Sequence, residues 1–441
     1  MWVTILQVIA SLSILVTLHE CGHFFPARWF NTKVEKFYLF FDPWFSLFKV
    51  QKGDTEYGIG WLPLGGYVKI AGMIDESFDK EQMAGPAQPW EFRSKPAWQR
   101  LIIMLGGVTV NFILGVVIFS LMFWHWGDSY IDNSSLPAGV YVDSIAMEIG
   151  LRDGDQIKYL GDQPFDKFNG RLISKAIIID NIKDITVVRD GSEMKIPVDP
   201  KFVGELSAYG NNKAELVQPR VPGFVEVVDK DSPAEGAGMI AGDRIIGLNG
   251  KNTTYLQEFR ESLAEQSSDD INVTVLRDGR DTINMPMTLK DGRMGIMWRP
   301  LDKILTFKDQ KYSLAECWGP GWKRSTGFLS DQISAFGQMF SGKIKAKDSL
   351  GSFISIGKMF GDEWDWRRFW GMTAMLSLLL GFLNLMPIPA LDGGHVMFLL
   401  WEVITGRKPN EKVMEYATMI GFFLLIVLMI YAIGLDISRL F

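Results

Sequence analysis

Histidine and cysteine are scarce in this 441-residue chain, which has four of the first and two of the second. Cys21 falls inside a long apolar run and Cys317 lies far from it, so no disulfide framework is expected and the redox compartment stays open. A dominant sign of charge is also missing. Forty-five Lys and Arg against 51 Asp and Glu leave a net charge of −6, which argues against nucleic acid as a partner. The N-terminal apolar run has no basic segment before it and no small-x-small cleavage site after it, so a retained span is predicted rather than a cleaved signal.

What the chain does have is apolar length. Residues 3–25, 101–126, 369–385 and 416–435 are each about long enough to cross a hydrocarbon core of roughly 30 Å. The middle of the chain, from about 127 to 365, reads as soluble. Lys and Arg near the span ends set the orientation. Arg28, Lys33 and Lys36 follow the first span, Arg93, Lys95 and Arg100 precede the second, and Arg407, Lys408 and Lys412 separate the third from the fourth. Both termini and the soluble insert are therefore expected outside, against a contrary signal from Arg367 and Arg368.

Two of the four histidines stand in the first span as His19-Glu20-Cys21-Gly22-His23. Residues four apart lie roughly 40° apart around a helix, so His19 and His23 share a face and can hold one cation. Imidazole suits zinc, and Glu20 beside them can act as a base. The third span closes on residues 384–395, NLMPIPALDGGH. Its two prolines stop a helix and its two glycines free the backbone around one carboxylate. A catalytic zinc takes three protein ligands and keeps one place open. Asp392 completes that set, with His395 as rival; His125 lies at the opposite end of the second span.

Residues 57–73 (YGIGWLPLGGYVKIAGM) are rich in glycine, aromatic and β-branched residues. They predict a re-entrant β-hairpin beside the histidines, whose edge could pair with an extended peptide. Gly106, Gly107 and Asn111 in the second span predict close helix packing and a bond to a neighbouring helix.

The insert carries a repeat. GLRDGDQI at 150–157 recurs as GMIAGDRI at 238–245, and ITVVRDG at 185–191 as VTVLRDG at 273–279, with one common offset. Each unit has short alternating strands and a helical stretch (168–176; 255–265), and resembles PDZ domains, which bind peptides by strand addition. Pro137-Ala138-Gly139-Val140 and Pro222-Gly223-Phe224-Val225 stand where a carboxylate-binding loop is expected. Beyond them, 314–343 reads as amphipathic helix broken by glycines. Its Trp318, Trp322, Phe328, Ile333, Phe336 and Phe340 are expected on the outer leaflet or against the insert.

Together, the HExxH in a first span, NxxPxPxLDGGH closing a third and PDZ-like repeats between resemble the site-2 protease family over essentially the whole chain. The resemblance implies a polytopic α-helical membrane protein of four spans, with a membrane-re-entrant β-hairpin and an inserted pair of periplasmic PDZ-like α+β domains. The expected divisions are the first transmembrane helix (1–30), a cytoplasmic-side loop (31–100), the second helix (101–126) and two PDZ-like domains (127–220, 221–308). An amphipathic segment (309–366), the third transmembrane segment (367–398) and the fourth helix (399–441) follow. It further implies an intramembrane zinc endopeptidase of a bacterial inner membrane, with the lipid bilayer as its surroundings. His19, His23 and Asp392 would hold one Zn2+, Glu20 would be the catalytic base, and Asn384, Gly65, Gly66, Tyr67, Val68 and Pro387 would handle substrate. Substrates would be single-span proteins already trimmed outside, such as an anti-sigma factor, and signal-peptide remnants, with the PDZ-like pair excluding untrimmed ones. Departures from the family pattern are Phe41-Asp42-Pro43, Ser352-Phe353-Ile354 and Leu379 in place of an Asn. Two other classes are a scaffold with a structural metal and a metal transporter. The latter should show polar residues at several depths, whereas the sequence shows them at one.

Overall fold

The computed structural model describes residues 2–63, 65–73, 85–208, 215–345, 347 and 353–438; Leu64 and Ser352 lie outside them. The chain forms two compact units. One holds Met1–Gly127, Lys311–Phe336 and Ser349–Phe441, the other Asp128–Gln310 and Gly337–Asp348.

Among the described residues of the first unit, four helices are long and apolar enough to cross a membrane: Trp2–Trp29, Ala97–Trp126, Trp366–Leu385 and Lys412–Ser438. The first two touch backbone to backbone, because a methyl group on Gly106 would overlap the Gly22 carbonyl and one on Gly22 would overlap Gly106. Hydrogen bonds tie the spans further, from Thr373 to Ser11 at 2.9 Å and from Ser377 to the Asn111 carbonyl at 2.8 Å. Buried polar groups thus occur at several depths, contrary to the sequence expectation of one. These two contacts join helix to helix directly, as structural interhelical bonds do. The fourth span is the least packed, with 11% of its apolar window buried against 39% for the second and third, so most of its surface is left for lipid.

The expected fourth segment from residue 399 is corrected. Leu399 to Thr405 belong to a separate helix, Asp392–Thr405, whose 14 residues rise only about 21 Å and cannot cross. Gly406, at φ 69°, closes it in the left-handed conformation.

Between the first two spans lies a sheet of β1 (Val34–Leu39), β2 (Phe41–Lys52), β3 (Thr55–Leu62) and β4 (Tyr67–Ile70), in the order β2-β3-β1-β4. The hairpin expected over 57–73 is therefore replaced. β2 and β3 form the antiparallel hairpin, while β3 and β4 flank β1 without pairing to each other. The four residues 63–66 can reach about 13 Å, enough to step over one strand to the next place about 10 Å away. On one face the Tyr38 and Tyr67 rings stack at 5.3 Å, and their hydroxyls donate to Glu56 and Asp42.

The helix Trp318–Phe340 runs unbroken through its glycines. Neither expected site covers its whole apolar face. Phe328 packs with Ile118 and Leu378, and Phe336 meets Phe382 at 5.5 Å, while Trp322 and Ile333 stay exposed.

The second unit contains the two repeats. In the first, Gln156–Leu160 pairs with Asp184–Arg189 and that with Ser192–Pro197; in the second, Arg244–Leu248, Asp270–Arg277 and Asp281–Thr288 do the same. Helices Gly170–Ile178 and Leu256–Ala264 occupy matching places. The repeated motif residues meet in space. Arg189 clasps Asp155 with two nitrogens at 2.8 Å, and Arg277 clasps Asp243 at 2.8 and 2.7 Å. Each aspartate also accepts a backbone N–H, from Arg152 and Ile240, and both carboxylates are fully buried. The Asp-Gly pairs after the arginines have positive φ at both positions, as type I′ turns require; in the first repeat the pair is the whole hairpin loop, and in the second Arg280 extends it.

The expected peptide-accepting edges are closed. Val140–Val142 pairs with Val217–Pro219 on one side and bonds Gly154 and Asp155 on the other; Gly223–Val228 lies between Arg244–Leu248 and Ile296–Trp298. Backbone groups already paired cannot accept an added strand there.

Replacing Arg277 by Leu should cost roughly 2–4 kcal/mol, since it leaves the Asp243 charge buried without its partner. Burial raises the Asp243 carboxyl, but the Arg277 and Ile240 donors outweigh this and hold it below its ordinary value. Its contribution is thus complete above about pH 4 and lost as the pH falls through the lowered pKa. Protection of the Asp270–Arg277 amides from hydrogen exchange in the full chain, corrected for the intrinsic exchange rate, should fall in the variant, and in wild type on acidification.

Candidate metal centre

His19 and His23 project from one face of the first span, and Asp392 is the first residue of its helix. Their atoms converge. The two Nε2 atoms are 3.3 Å apart, and each is 3.4 Å from Asp392 Oδ2. Three donors held about 2.0–2.1 Å from a tetrahedral zinc stand about 3.3–3.4 Å from one another, so the spacing fits.

The hydrogen bonds around the trio sharpen this. His23 Nδ1 lies 2.8 Å from the Ile103 carbonyl, which only accepts, so Nδ1 carries the proton and Nε2 of the neutral ring is a bare lone pair. Asn111 lies 3.0 Å from His19 Nδ1, and its Oδ1 has no partner. Exchanging the two ends of that amide lets Oδ1 accept from Nδ1–H and leaves the His19 Nε2 lone pair facing the trio, with the Asn384 amide 3.3 Å from it. Asp392 Oδ2 has no hydrogen-bond donor. Three lone pairs aimed at one point, in buried or half-buried side chains, call for a cation.

Local backbone chemistry builds this arrangement. A methyl group on Gly107 would overlap His23 Nε2, so only glycine lets the second span back the two rings so closely. After the third span, Pro387 and Pro389 prevent continuation, and Ala390 turns at φ 91°. The new helix folds back against this turn, where side chains on Gly393 and Gly394 would strike the carbonyls of Met386 and Ile388. At the second span's start, Arg100 is buried and paired with Glu402 of the Asp392 helix.

A cavity of about 500 Å³ opens on the trio. Glu20, Gly66, Tyr67 and Val68 line it, and the Val68 amide faces the Glu20 carboxylate. His395 lines it too, outside the trio. Asn384 reaches His19 Nε2 at 3.3 Å. Gly65 and Pro387 are not among the lining residues, and His125 packs against Trp126. Sequence reasoning missed Thr418 of the fourth span and the two lysines Lys36 and Lys69, all of which line the cavity. The alternation Lys36-x-Tyr38 and Tyr67-x-Lys69 marked one strand face, but only register shows that the two lysines meet.

The sequence model of the family described as Peptidase family M50 matches residues 7–428. The chain is similar to the regulator of sigma-E protease RseP of Escherichia coli, with 29% identity over 98% of each chain. It is 28% identical to the protease RseP of Yersinia pestis, again over 98% of each. A Neisseria meningitidis protein whose name assigns it, provisionally, to the zinc metalloproteases is 27% identical over 99% of each.

Asp392→Asn and Gly107→Ala should each lower zinc affinity at least about tenfold, the first by weakening a ligand and the second by displacing both rings. Metal content of the purified protein, titrated against a competing chelator, measures this. Unchanged affinity in both variants would detach the trio from the metal.

Proposed function

The chain belongs to peptidase family M50 and is a zinc metalloprotease, and from that premise we propose that it cleaves single-span membrane proteins within or near the bilayer. The observation that carries this is the meeting of three metal-seeking atoms beside Glu20, inside a bundle of membrane-length helices. His19, His23 and Asp392 hold the zinc in this reading. Bound there, zinc supplies Lewis acidity that polarises the scissile carbonyl and acidifies water.

The chain's own residues do the rest. Glu20 takes the proton from the attacking water and delivers it to the leaving amine. His23 is kept in the productive tautomer by the Ile103 carbonyl and His19 by Asn111. A helical substrate hides its peptide bonds in its own hydrogen bonds and must unwind. β4 is the end strand of its sheet among the described residues, and its free edge offers replacement partners along Gly66, Tyr67 and Val68. Gly65 and Pro387 shape the turns flanking that edge and the Asp392 loop, and Asn384 binds the unwound backbone.

The same reading places the protein in a bacterial inner membrane, with both termini and the two repeats on the periplasmic side. β1 to β4 re-enter the bilayer beside the histidines. The repeats are PDZ-like domains acting as a size filter for trimmed substrates, a role that their covered strands at Val140 and Gly223 favour over peptide capture at those loops. The name of the Escherichia coli relative brings regulation of a sigma-E-type stress response into this reading, and its proposed substrates are those the family resemblance implies, a trimmed anti-sigma factor and signal-peptide remnants.

Purified protein in detergent should cleave a tagged single-span peptide within its span, and a zinc chelator should abolish this. Glu20→Gln should retain zinc while kcat falls by about 10²–10⁴. Turnover at the wild-type rate in that variant would remove Glu20 from the mechanism.

A further inference from the structure

Phe41-Asp42-Pro43, one of the departures from the family pattern, begins an irregular stretch of β2. Phe41 pairs with Leu62 and Ser46 with Gly60, so the residues between them on β2 bow out opposite the single residue Trp61. Phe40 at φ 69° and Trp44 at φ 73° shape the bow, in left-handed conformations that are costly for residues with large side chains. The Trp61 indole donates to the Pro43 carbonyl at 2.9 Å, and its ring stacks on Trp44 and Phe45. Strain persists only where the surroundings over-determine it, and it gathers beside functional sites.

What the bow presents is Asp42. Its Oδ1 accepts from the Tyr67 hydroxyl at 2.9 Å and its Oδ2 from Ser46 at 3.0 Å. The Tyr67 ring lines the metal cavity and stacks on Tyr38 at 5.3 Å and on Phe41 at 6.1 Å. Stacked rings can slide over one another, whereas a hydrogen bond to a carboxylate is short and directional, so Asp42 fixes the Tyr67 ring within its plane. The backbone around Tyr67 runs beside the first span. A methyl group on Gly66 would overlap Val16 and the Tyr38 carbonyl. One helical turn on from Val16, the Glu20 carboxylate faces the Val68 amide, which belongs to the peptide unit joining Tyr67 to Val68.

We propose that Asp42 is a positioning residue for the base: through Tyr67 it holds the 67–68 peptide unit so that the Val68 N–H keeps the Glu20 carboxylate aimed into the cavity. The inference rests on the protease reading above, in which Glu20 moves the proton. Without the Asp42 bond the Tyr67 ring slides, the peptide unit shifts, and Glu20 loses the donor that selects its rotamer. The hydrogen bonds around the zinc ligands come instead from Ile103, Asn111 and Asn384. The cost of losing Asp42 therefore falls on the chemical step rather than on the metal.

The test measures kcat, KM and zinc content of full-length protein in detergent, with a tagged single-span peptide as substrate. Asp42→Ala should lower kcat roughly tenfold, the effect of one hydrogen bond to a charged group, with KM and zinc content unchanged. Asp42→Asn should recover most of this, because the amide oxygen still accepts from Tyr67 and the amide nitrogen donates to Ser46. Tyr67→Phe removes one oxygen and keeps the stack, so it should match Asp42→Ala, and the double variant should be no slower than either. Additive losses in the double variant, a loss confined to KM, or Asp42→Asn as slow as Asp42→Ala overturns the proposal while leaving the protease reading intact. Should Asp42→Ala lose its zinc, Tyr67→Phe decides: wild-type kcat overturns the proposal, and the tenfold loss with full zinc supports it. Failure of wild type to cleave any such peptide would instead count against the protease reading.

Discussion

The contact of Gly22 with Gly106 is the constraint on which the rest of the site depends. Two membrane helices normally stand apart by the width of their side chains, and only glycine on both lets the backbones meet. One residue on, Gly107 lies under the His19 and His23 rings, and one turn further Asn111 reaches His19 Nδ1. A turn the other way, the Ile103 carbonyl accepts a hydrogen bond from His23 Nδ1–H. The second span thus fixes the tautomers and the positions of both rings from a distance that no bulkier interface allows. Hydrophobic association alone would not select this geometry, since lipid tails are as apolar as leucine.

Much of this was legible in the sequence because it is local. Apolar length marked four spans, the i,i+4 histidines marked a shared face, and two prolines with two glycines marked the loop of Asp392. The repeat was visible from its common offset, and the paired Asp155–Arg189 and Asp243–Arg277 explain why those letters recur. What stayed hidden depends on pairing across distance. Residues 57–73 carried every mark of a hairpin, yet β1 was the better partner for both of their strands, and composition does not encode strand order. Arg100 carried a topological signal in the sequence, and nothing there revealed that it is buried against Glu402, 302 residues away.

The polar groups along the first span show the same difference between composition and contact. Gln7, Ser11 and His19 lie on one stripe and all are buried, a several-depth pattern that an ion path would also show. Ser11 is closed by Thr373, Gln7 reaches the carbonyls of Gly361 and Glu363, and Leu15 stands buried between them and His19. Side chains bonded to neighbouring helices hold the bundle in register. Only at the level of His19, where lone pairs face one another without a proton between them, does the stripe call for an ion.

The two halves of the metal site come from opposite ends of the chain, and their assembly cannot rest on the metal alone. The second span packs against the first span, the third and the Asp392 helix, so it sees every ligand-bearing element. Its contact with the Asp392 helix includes the buried Arg100–Glu402 pair, with the Arg100 Nε also bonded to the Lys95 carbonyl. Burying two charges costs several kcal/mol per ion before their attraction offsets it, so such a pair adds little net stability. Its geometry is nonetheless specific: a rotation of the Asp392 helix by one residue, about 100°, would leave both charges buried without partners. The pair therefore acts on register rather than on strength. Asp392 lies ten residues before Glu402 on the same helix, close to three turns, so fixing the rotation at Glu402 also fixes the direction in which the Asp392 carboxylate points. The glycine contact sets where the histidines stand, and the ion pair sets where the carboxylate aims, both from the second span, which contributes no ligand of its own.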